Sequence, residues 1–244
     1  VIHEPGEQTT ALFERMGDEA ALIAKCVPAV WVVRYPDRVA AAEVANRRGC
    51  TVLILDDGFQ AVSLARDENI VLIDATNPFG NGHILPRGIL REPLASLCRA
   101  TEIIVTRCDQ APEALPAIEA TLRKHAPNIP VYYRIHRAVG LRKLSDDSEI
   151  PLTFLKDTHV RAVCAIGNPD SFAVTLKNLG ANLVEMHCLA DHASIPLSLF
   201  NGKYPVVITE KDAIRITDKN LPNVYVLCVS LAPYACDTSA SMSR

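Results

Sequence analysis

The sequence runs to 244 residues, 49% hydrophobic and 22% charged, which excludes a disordered chain, a collagen-like repeat and a coiled coil. Its 25 Lys and Arg against 28 Asp and Glu leave a formal charge of −3, so no global basic field exists to hold nucleic acid or an anionic membrane. The eight cysteines, at 26, 50, 98, 108, 164, 188, 228 and 236, contain no Cys-x-x-Cys pair and read mostly as buried thiols of a reducing compartment.

The chain opens on Val1 with no start-like residue near it, which reads as a processed or missing N-terminus. Gly17–Asp18–Glu19 then precedes an Ala/Leu/Ile run: Asp18 either caps the helix that follows or is a carboxylate held at a loop–helix junction for base or metal chemistry. Residues 20–33 are the most apolar stretch, but Lys25 and Pro28 interrupt it well short of the ~20 residues of a membrane span. No signal peptide is legible, and the cytoplasm is the expected compartment.

A helix is predicted over 38–49, ending in Gly49. TVLIL (51–55) reads as a buried strand with Asp56–Asp57–Gly58 at its carboxyl end. Acids at that edge are where nucleotide-binding α/β proteins hold Mg²⁺ beside phosphate; an Asp-Gly turn is the alternative, and a metal-dependent glycosyltransferase holding a nucleotide sugar is a further, weaker one. Strands follow at 69–75 and 101–106. Between them GNGHILPRGILREP (80–93) carries three glycines, two prolines, Arg87, Arg91 and Glu92, a rigid loop whose arginines can clamp phosphate in a planar fork.

A helix over 112–126 and a strand over 130–135 close the first α/β pattern, and strand alternating with helix implies a parallel sheet. The polar text from 140 to 160 reads as a linker between a lobe of residues 1–139 and a smaller lobe of 161–244. In the second lobe strands are predicted at 161–167, 182–189, 204–209 and 224–230, with a helix over 170–180. Asn168–Pro169–Asp170 reads as an N-cap followed by Pro at N1, and Thr209–Glu210–Lys211–Asp212 as a capping-box variant whose Lys211 can reach an anion. His187, Cys188, Asp191 and His192 would chelate a metal on a helix, but NLVEMHC alternates like a strand, so no zinc site is expected there. Asp191–His192 reads instead as an oriented imidazole or as a surface pair.

Taken in order, these segments resemble the tetraacyldisaccharide 4′-kinase family of lipid A biosynthesis. That family's text runs GDEP, DDGFQH, GNG…LP.G.LREP, GI.NP..F, DHH and TEKDA. Here it stands as GDEA (17–20), DDGFQA (56–61), GNGHILPRGILREP (80–93), AIGNPDSF (165–172), DHAS (191–194) and TEKDA (209–213), a match running from about residue 16 to 230.

The resemblance implies an α/β fold with a P-loop-NTPase-like lobe, incomplete here, and a second, smaller α/β lobe. It implies ATP and Mg²⁺ as cofactors and an acylated disaccharide lipid as substrate. It places the protein peripherally on the cytoplasmic face of the bacterial inner membrane, with no nucleic acid as partner. By motif, Asp18 acts on the attacking hydroxyl, supported by Asp191 and His192 from the other lobe when the lobes close. Asp56 and Asp57 match Walker-B-like acids, Arg91 stabilises phosphate charge, and Glu19, Glu92 and Asp57 serve the Mg²⁺. Three positions depart from the family text: Ala20, Ala61 and Ala193. No G-x-x-x-x-G-K-[ST] occurs either; the single Gly-Lys, Gly202–Lys203, is followed by Tyr204. The expectation is therefore a chain lacking the family's phosphate-cradling loop, with impaired activity and exposed apolar sheet edges. The alternative is an inactive remnant that binds lipid or a partner.

Overall fold

The computed structural model describes residues 1–7 and 12–235. In chain order its elements are β1 (Ile2–His3), α1 (Leu12–Met16), α2 (Asp18–Cys26), β2 (Val32–Val33), α3 (Arg38–Arg47), β3 (Ile70–Asp74), β4 (Glu102–Thr106), α4 (Leu115–His125), β5 (Val131–Lys143), β6 (Glu149–Ile150), β7 (His159–Cys164), α5 (Pro169–Asn178), β8 (Asn182–Cys188), β9 (Val206–Thr209), α6 (Glu210–Arg215) and β10 (Val224–Pro233). The class is α/β, as expected. The predicted strands from 69 onward and all the predicted helices appear, close to their expected bounds except that the strand expected over 130–135 continues to Lys143.

Two units form, and neither is a consecutive half of the chain. Residues 1–56 belong with 138–229, and residues 57–137 with the segment after 229. This differs from the expected division at 140–160. The reason is packing: Ala21 and Ala24 of α2 are buried with Leu12 and Met16 of α1 in a cluster that also takes Ile214 of α6, so the first helices belong with the last strands.

In the first unit β10, β9, β7 and β8 run parallel, and the end of β5 pairs antiparallel with β6. Strand alternation sends side chains to two cores. Val160, Ala162, Cys164, Val207, Tyr225 and Leu227 pack with Phe172 and Leu176 of α5 on one face. Val163, Val206, Ile208, Val224 and Val226 pack with Ala213 and Ile216 on the other. Residues 140–160 are part of this core and not a linker: Leu141 and Leu155 are fully buried and Leu144 nearly so. Of the charges that suggested a linker, Asp146 and Asp147 stand in the turn between β5 and β6, Arg142 and Lys143 end β5, Glu149 opens β6, and Lys156 and Asp157 precede β7.

In the second unit β3, β4 and β5 form a parallel ladder, Ile70 opposite Glu102 and Ile104 opposite Tyr132. Ile73, Ile103 and Val105 face Leu97 and the buried stripe Leu115, Ile118 and Leu122 of α4.

The run TVLIL (51–55) is not a strand. Its side chains point into solvent, Val52 at 76% and Ile54 at 92% exposure, because an apolar run becomes a strand only where a neighbour supplies a ladder. The cysteines also depart from expectation. All seven described ones are free, and only Cys108 and Cys164 are buried; Cys26 and Cys188 are the last residues of α2 and β8, where elements fray into solvent, and Cys236 lies outside the described residues. No helix among the described residues is long and apolar enough to cross a membrane.

Candidate functional site

Helix α2 starts where it does because Gly17 takes a left-handed backbone, φ 84°, which an L side chain adopts only with strain. Asp18 is thus the first helical residue and not the cap. Among the described residues its Oδ1 accepts from the next amide alone, Glu19 N, at 3.0 Å, and the position before it makes no side-chain cap. The capping account leaves the burial of this carboxylate, 6% exposed, unexplained.

The explanation is its other oxygen. Asp18 Oδ2 lies 2.8 Å from His192 Nδ1, from a residue 174 positions further along. A carboxylate can only accept, so Nδ1 carries the hydrogen and donates. His192 follows β8 in a left-handed conformation, φ 63°, a sparsely populated region for a non-glycine residue. Its amide donates to Asp191 Oδ1 at 3.0 Å, and its Nε2 lies 3.6 Å from Asp191 Oδ2. The two residues expected on separate lobes therefore lie in one unit, already paired, and no closure between lobes is needed to bring them together.

Helix α6 supplies the cations. Lys211 Nζ lies 3.2 Å from Glu19 Oε1, 3.4 Å from Asp191 Oδ1 and 3.9 Å from Asp18 Oδ2. One turn on, the buried Arg215 lies with Nε 3.3 Å from Asp18 Oδ2, an ion pair without hydrogen-bond geometry. Its Nη1 and Nη2 donate to the Ala193 and Ala165 carbonyls at 3.1 and 2.8 Å, and Nη2 lies 3.2 Å from Asp212 Oδ1. Asp212 is fully buried; it accepts from Ala165 N at 3.1 Å and from Thr209 Oγ1 at 2.6 Å.

The two buried carboxyls titrate oppositely. Burial pushes Asp18 up, but the His192 hydrogen bond and the charges of Lys211 and Arg215 more than offset it, and the carboxyl ends below its ordinary range. For Asp212 burial wins over its hydrogen bonds and over Arg215, and the carboxyl ends above it. Sequence reasoning singled out Lys211 but missed Arg215, although Arg215 stands four residues after Lys211 and three after Asp212, the spacing that stacks side chains on one helix face.

The second unit, which begins at Asp57, gathers most of the other motifs; Asp56 is the last residue of the first unit's N-terminal segment. Asp56 and Asp57 form a turn, Asp57 at φ 51°, so the turn reading holds for the backbone while both carboxylates stay exposed. Arg91 Nη1 donates to Asp57 Oδ2 at 2.5 Å. Gln60 Nε2 donates to Glu92 Oε1 at 3.0 Å. Arg99 Nη2 spans both Glu92 oxygens at 2.8 and 2.7 Å, with its guanidinium 4.5 Å above the Phe59 ring. The segments DDGFQ and LREP thus meet side chain to side chain. Burial raises the Glu92 carboxyl, but the bonds from Arg99, Ser96 and Gln60 bring it below its ordinary range. In the glycine-rich loop a Cβ on Gly88 would stand 2.1 Å from the His83 carbonyl oxygen, so that glycine admits the loop's own backbone. Arg87, named as a phosphate clamp, offers its carbonyl to Asn81 Nδ2 at 2.8 Å.

Among the described residues no group of three or more His, Cys, Asp or Glu could hold a metal ion. Glu19 pairs with Lys211, Glu92 with Arg99 and Asp57 with Arg91. Hard carboxylate oxygens in ones and twos still suit Mg²⁺, which commonly takes one or two protein carboxylates and completes its shell with phosphate oxygens and water.

A sequence profile of the family described as Tetraacyldisaccharide-1-P 4′-kinase matches residues 5–242. A tetraacyldisaccharide 4′-kinase of Halothermothrix orenii is 36% identical over 88% of this chain and 63% of its own length. One from Anaeromyxobacter dehalogenans is 39% identical over 82% of this chain and 55% of its own. The chain thus spans between about half and two thirds of the length of these relatives. A crystal structure described as the "apo" form of LpxK from Aquifex aeolicus in complex with ATP has a TM-score of 0.69 and 30% identity, covering 95% of this chain and 70% of that one.

Proposed function

The chain belongs to the tetraacyldisaccharide-1-P 4′-kinase family, and we propose that it serves ATP-dependent phosphorylation of the 4′-hydroxyl of tetraacyldisaccharide 1-phosphate in lipid A biosynthesis. One observation carries the reading: a nearly buried carboxylate on GDEA is hydrogen-bonded, at 2.8 Å, to the imidazole of DHAS. In this reading Asp18 receives the acceptor hydroxyl. Oδ2 is taken up by His192, whereas Oδ1 accepts a single backbone amide and keeps a lone pair for the sugar O–H. A carboxyl held below its ordinary range is a weak base. That suits a loose phosphoryl-transfer transition state, in which the hydroxyl needs orientation first and surrenders its proton late.

His192 fixes the carboxylate's rotation, and Asp191 the imidazole's. Arg91 is the proposed partner of phosphate charge, and Asp56 and Asp57 are the acids proposed to face the nucleotide. A Mg²⁺ entering with ATP would neutralise phosphate charge, with Glu19, Glu92 and Asp57 as its proposed carboxylates. The ATP held by the Aquifex aeolicus relative supports ATP as the donor. The proposed setting is the cytoplasmic face of the inner membrane, where the acylated disaccharide presents its sugar, with no nucleic acid as partner. Because no G-x-x-x-x-G-K-[ST] stands in these 244 residues, turnover by this chain alone is proposed to be slow.

The test is transfer of labelled phosphate from ATP to tetraacyldisaccharide 1-phosphate. Asp18→Asn lowers kcat by about 10²–10⁴-fold with the KM for lipid unchanged. Undiminished turnover in that variant would sink the assignment. Lipid binding with no transfer by the parent chain would favour the inactive, lipid-binding remnant.

A further inference from the structure

Beside the Asp18–His192 pair lies one group that no motif assigned. Arg215 ends α6 with its side chain 3% exposed, and its guanidinium is shared among four groups from separate parts of the unit. Nε faces the Asp18 carboxylate of α2 at 3.3 Å. Nη1 holds the Ala193 carbonyl, one residue past His192, and Nη2 holds the Ala165 carbonyl at the end of β7. Asp212 balances the charge from 3.2 Å and in turn holds the Ala165 amide. A buried guanidinium is a poor stabiliser unless its fork is matched, and here the fork is matched to the two backbone segments that bracket His192: the Ala165 carbonyl also accepts the His192 amide, at 3.4 Å.

The geometry points to Arg215 as the positioning residue of the Asp18–His192 pair, fixing the His192 loop against the carboxylate by spanning Ala165, Ala193 and Asp18 at once. His192 needs such support: its left-handed backbone, φ 63°, persists only where the surroundings over-determine it. Lys211 does not fill this role. Among the described residues it meets the side chains of Asp18, Glu19 and Asp191 and no carbonyl of the loop. The inference deepens the acceptor-side reading above and rests on it for its meaning in catalysis; the geometry it tests exists without substrate.

The charged and titratable groups around Asp18 are Glu19 on α2, Asp191 and His192 after β8, Lys211, Asp212 and Arg215 on α6, and Arg34, whose Nη1 stands 3.5 Å from where a Gly17 Cβ would lie. Asp191 holds the His192 amide from within the loop; Arg215 binds the loop backbone from another element, at the Ala193 carbonyl.

The experiment is NMR on the whole chain, free of nucleotide and lipid, reading two signals. One is the downfield proton of His192 Nδ1–H donating to Asp18, and the other is the pH titration of the Asp18 carboxyl carbon. Arg215→Lys keeps the charge but cannot span two carbonyls and a carboxylate, and Arg215→Met removes the charge as well. The downfield proton is expected to broaden or vanish in both. The Asp18 midpoint rises in the Met variant and by less in the Lys variant, while the amide spectrum of both stays dispersed.

Retention of the downfield proton in Arg215→Lys with an unmoved Asp18 midpoint would overturn the proposal. Collapse of amide dispersion in both variants would overturn it too, since Arg215 would then hold the fold and not the pair. None of these readouts depends on turnover. A failure here leaves the Asp18→Asn kinetics as they stand, and inert kinetics leave the Arg215 geometry as it stands.

Discussion

Asp18 and Asp212 flank the same guanidinium, yet their carboxyls move in opposite directions from the ordinary aspartate value of 3.8. Asp18 is lowered in the folded protein, so the stability it contributes is present above the unfolded value and is lost as pH falls through the lower folded midpoint. Asp212 is raised, so its contribution is present below the unfolded value and is lost as pH rises through the higher folded midpoint. Urea unfolding of Asp18→Asn against the parent chain separates the two. The parent is more stable at neutral pH, and the gap closes only as pH drops below 3.8; a gap independent of pH would mean that the carboxylate's charge contributes nothing. Motif text identified Asp18 and His192 because each carries its own chemistry in a short segment. Arg215 lies two residues beyond TEKDA, and its importance exists only in three dimensions, where it meets Ala165 and Ala193 through backbone carbonyls that no side-chain pattern encodes.

At the scale of elements, the caps of α5 and α6 were legible, as were the strands from residue 69 onward; that TVLIL finds no strand partner was not. Asn168 Oδ1 accepts from Ser171 N at 3.0 Å ahead of Pro169, as Asn-Pro-Asp implied. Thr209 caps α6 by accepting from Asp212 N at 3.2 Å while its hydroxyl donates to the buried Asp212 carboxylate. Removing the two caps has different consequences. Asn168→Ala costs about 1 kcal/mol, the ordinary loss of a cap. Thr209→Ala costs about 2 kcal/mol or more, because a buried carboxylate oxygen also loses its donor. Chemical denaturation of both variants checks the difference, and equal losses would show that the Thr209–Asp212 bond carries no weight beyond the cap. By contrast, TVLIL has the composition of a strand and no ladder to join. Residues 140–160 have the composition of a linker, yet they place Leu141, Leu144 and Leu155 in the core. Composition fixes what a segment can bury; the partner decides whether it does.

For the molecule as a whole, the two units treat their sheets differently. The sheet of residues 1–56 and 138–229 carries apolar clusters on both faces, as parallel strands require. In the other unit the β3–β4–β5 ladder carries an apolar cluster on one face, formed with α4 and the turn at Leu94–Arg99. By register its second face presents Ile70, Leu72, Ile104 and Tyr132, with Leu72 61% and Ile70 45% exposed. An apolar patch of this kind on a parallel sheet attracts other apolar surface. Ile70→Thr with Leu72→Thr places β-branched residues at both strand positions and removes apolar area that is solvent-exposed among the described residues. Dye binding to hydrophobic surface and concentration-dependent light scattering should both fall, with unfolding free energy changed by no more than about 0.5 kcal/mol. A loss of several kcal/mol would instead show that this face is buried in solution, because only side chains already packed against something lose that much when their methylenes are removed.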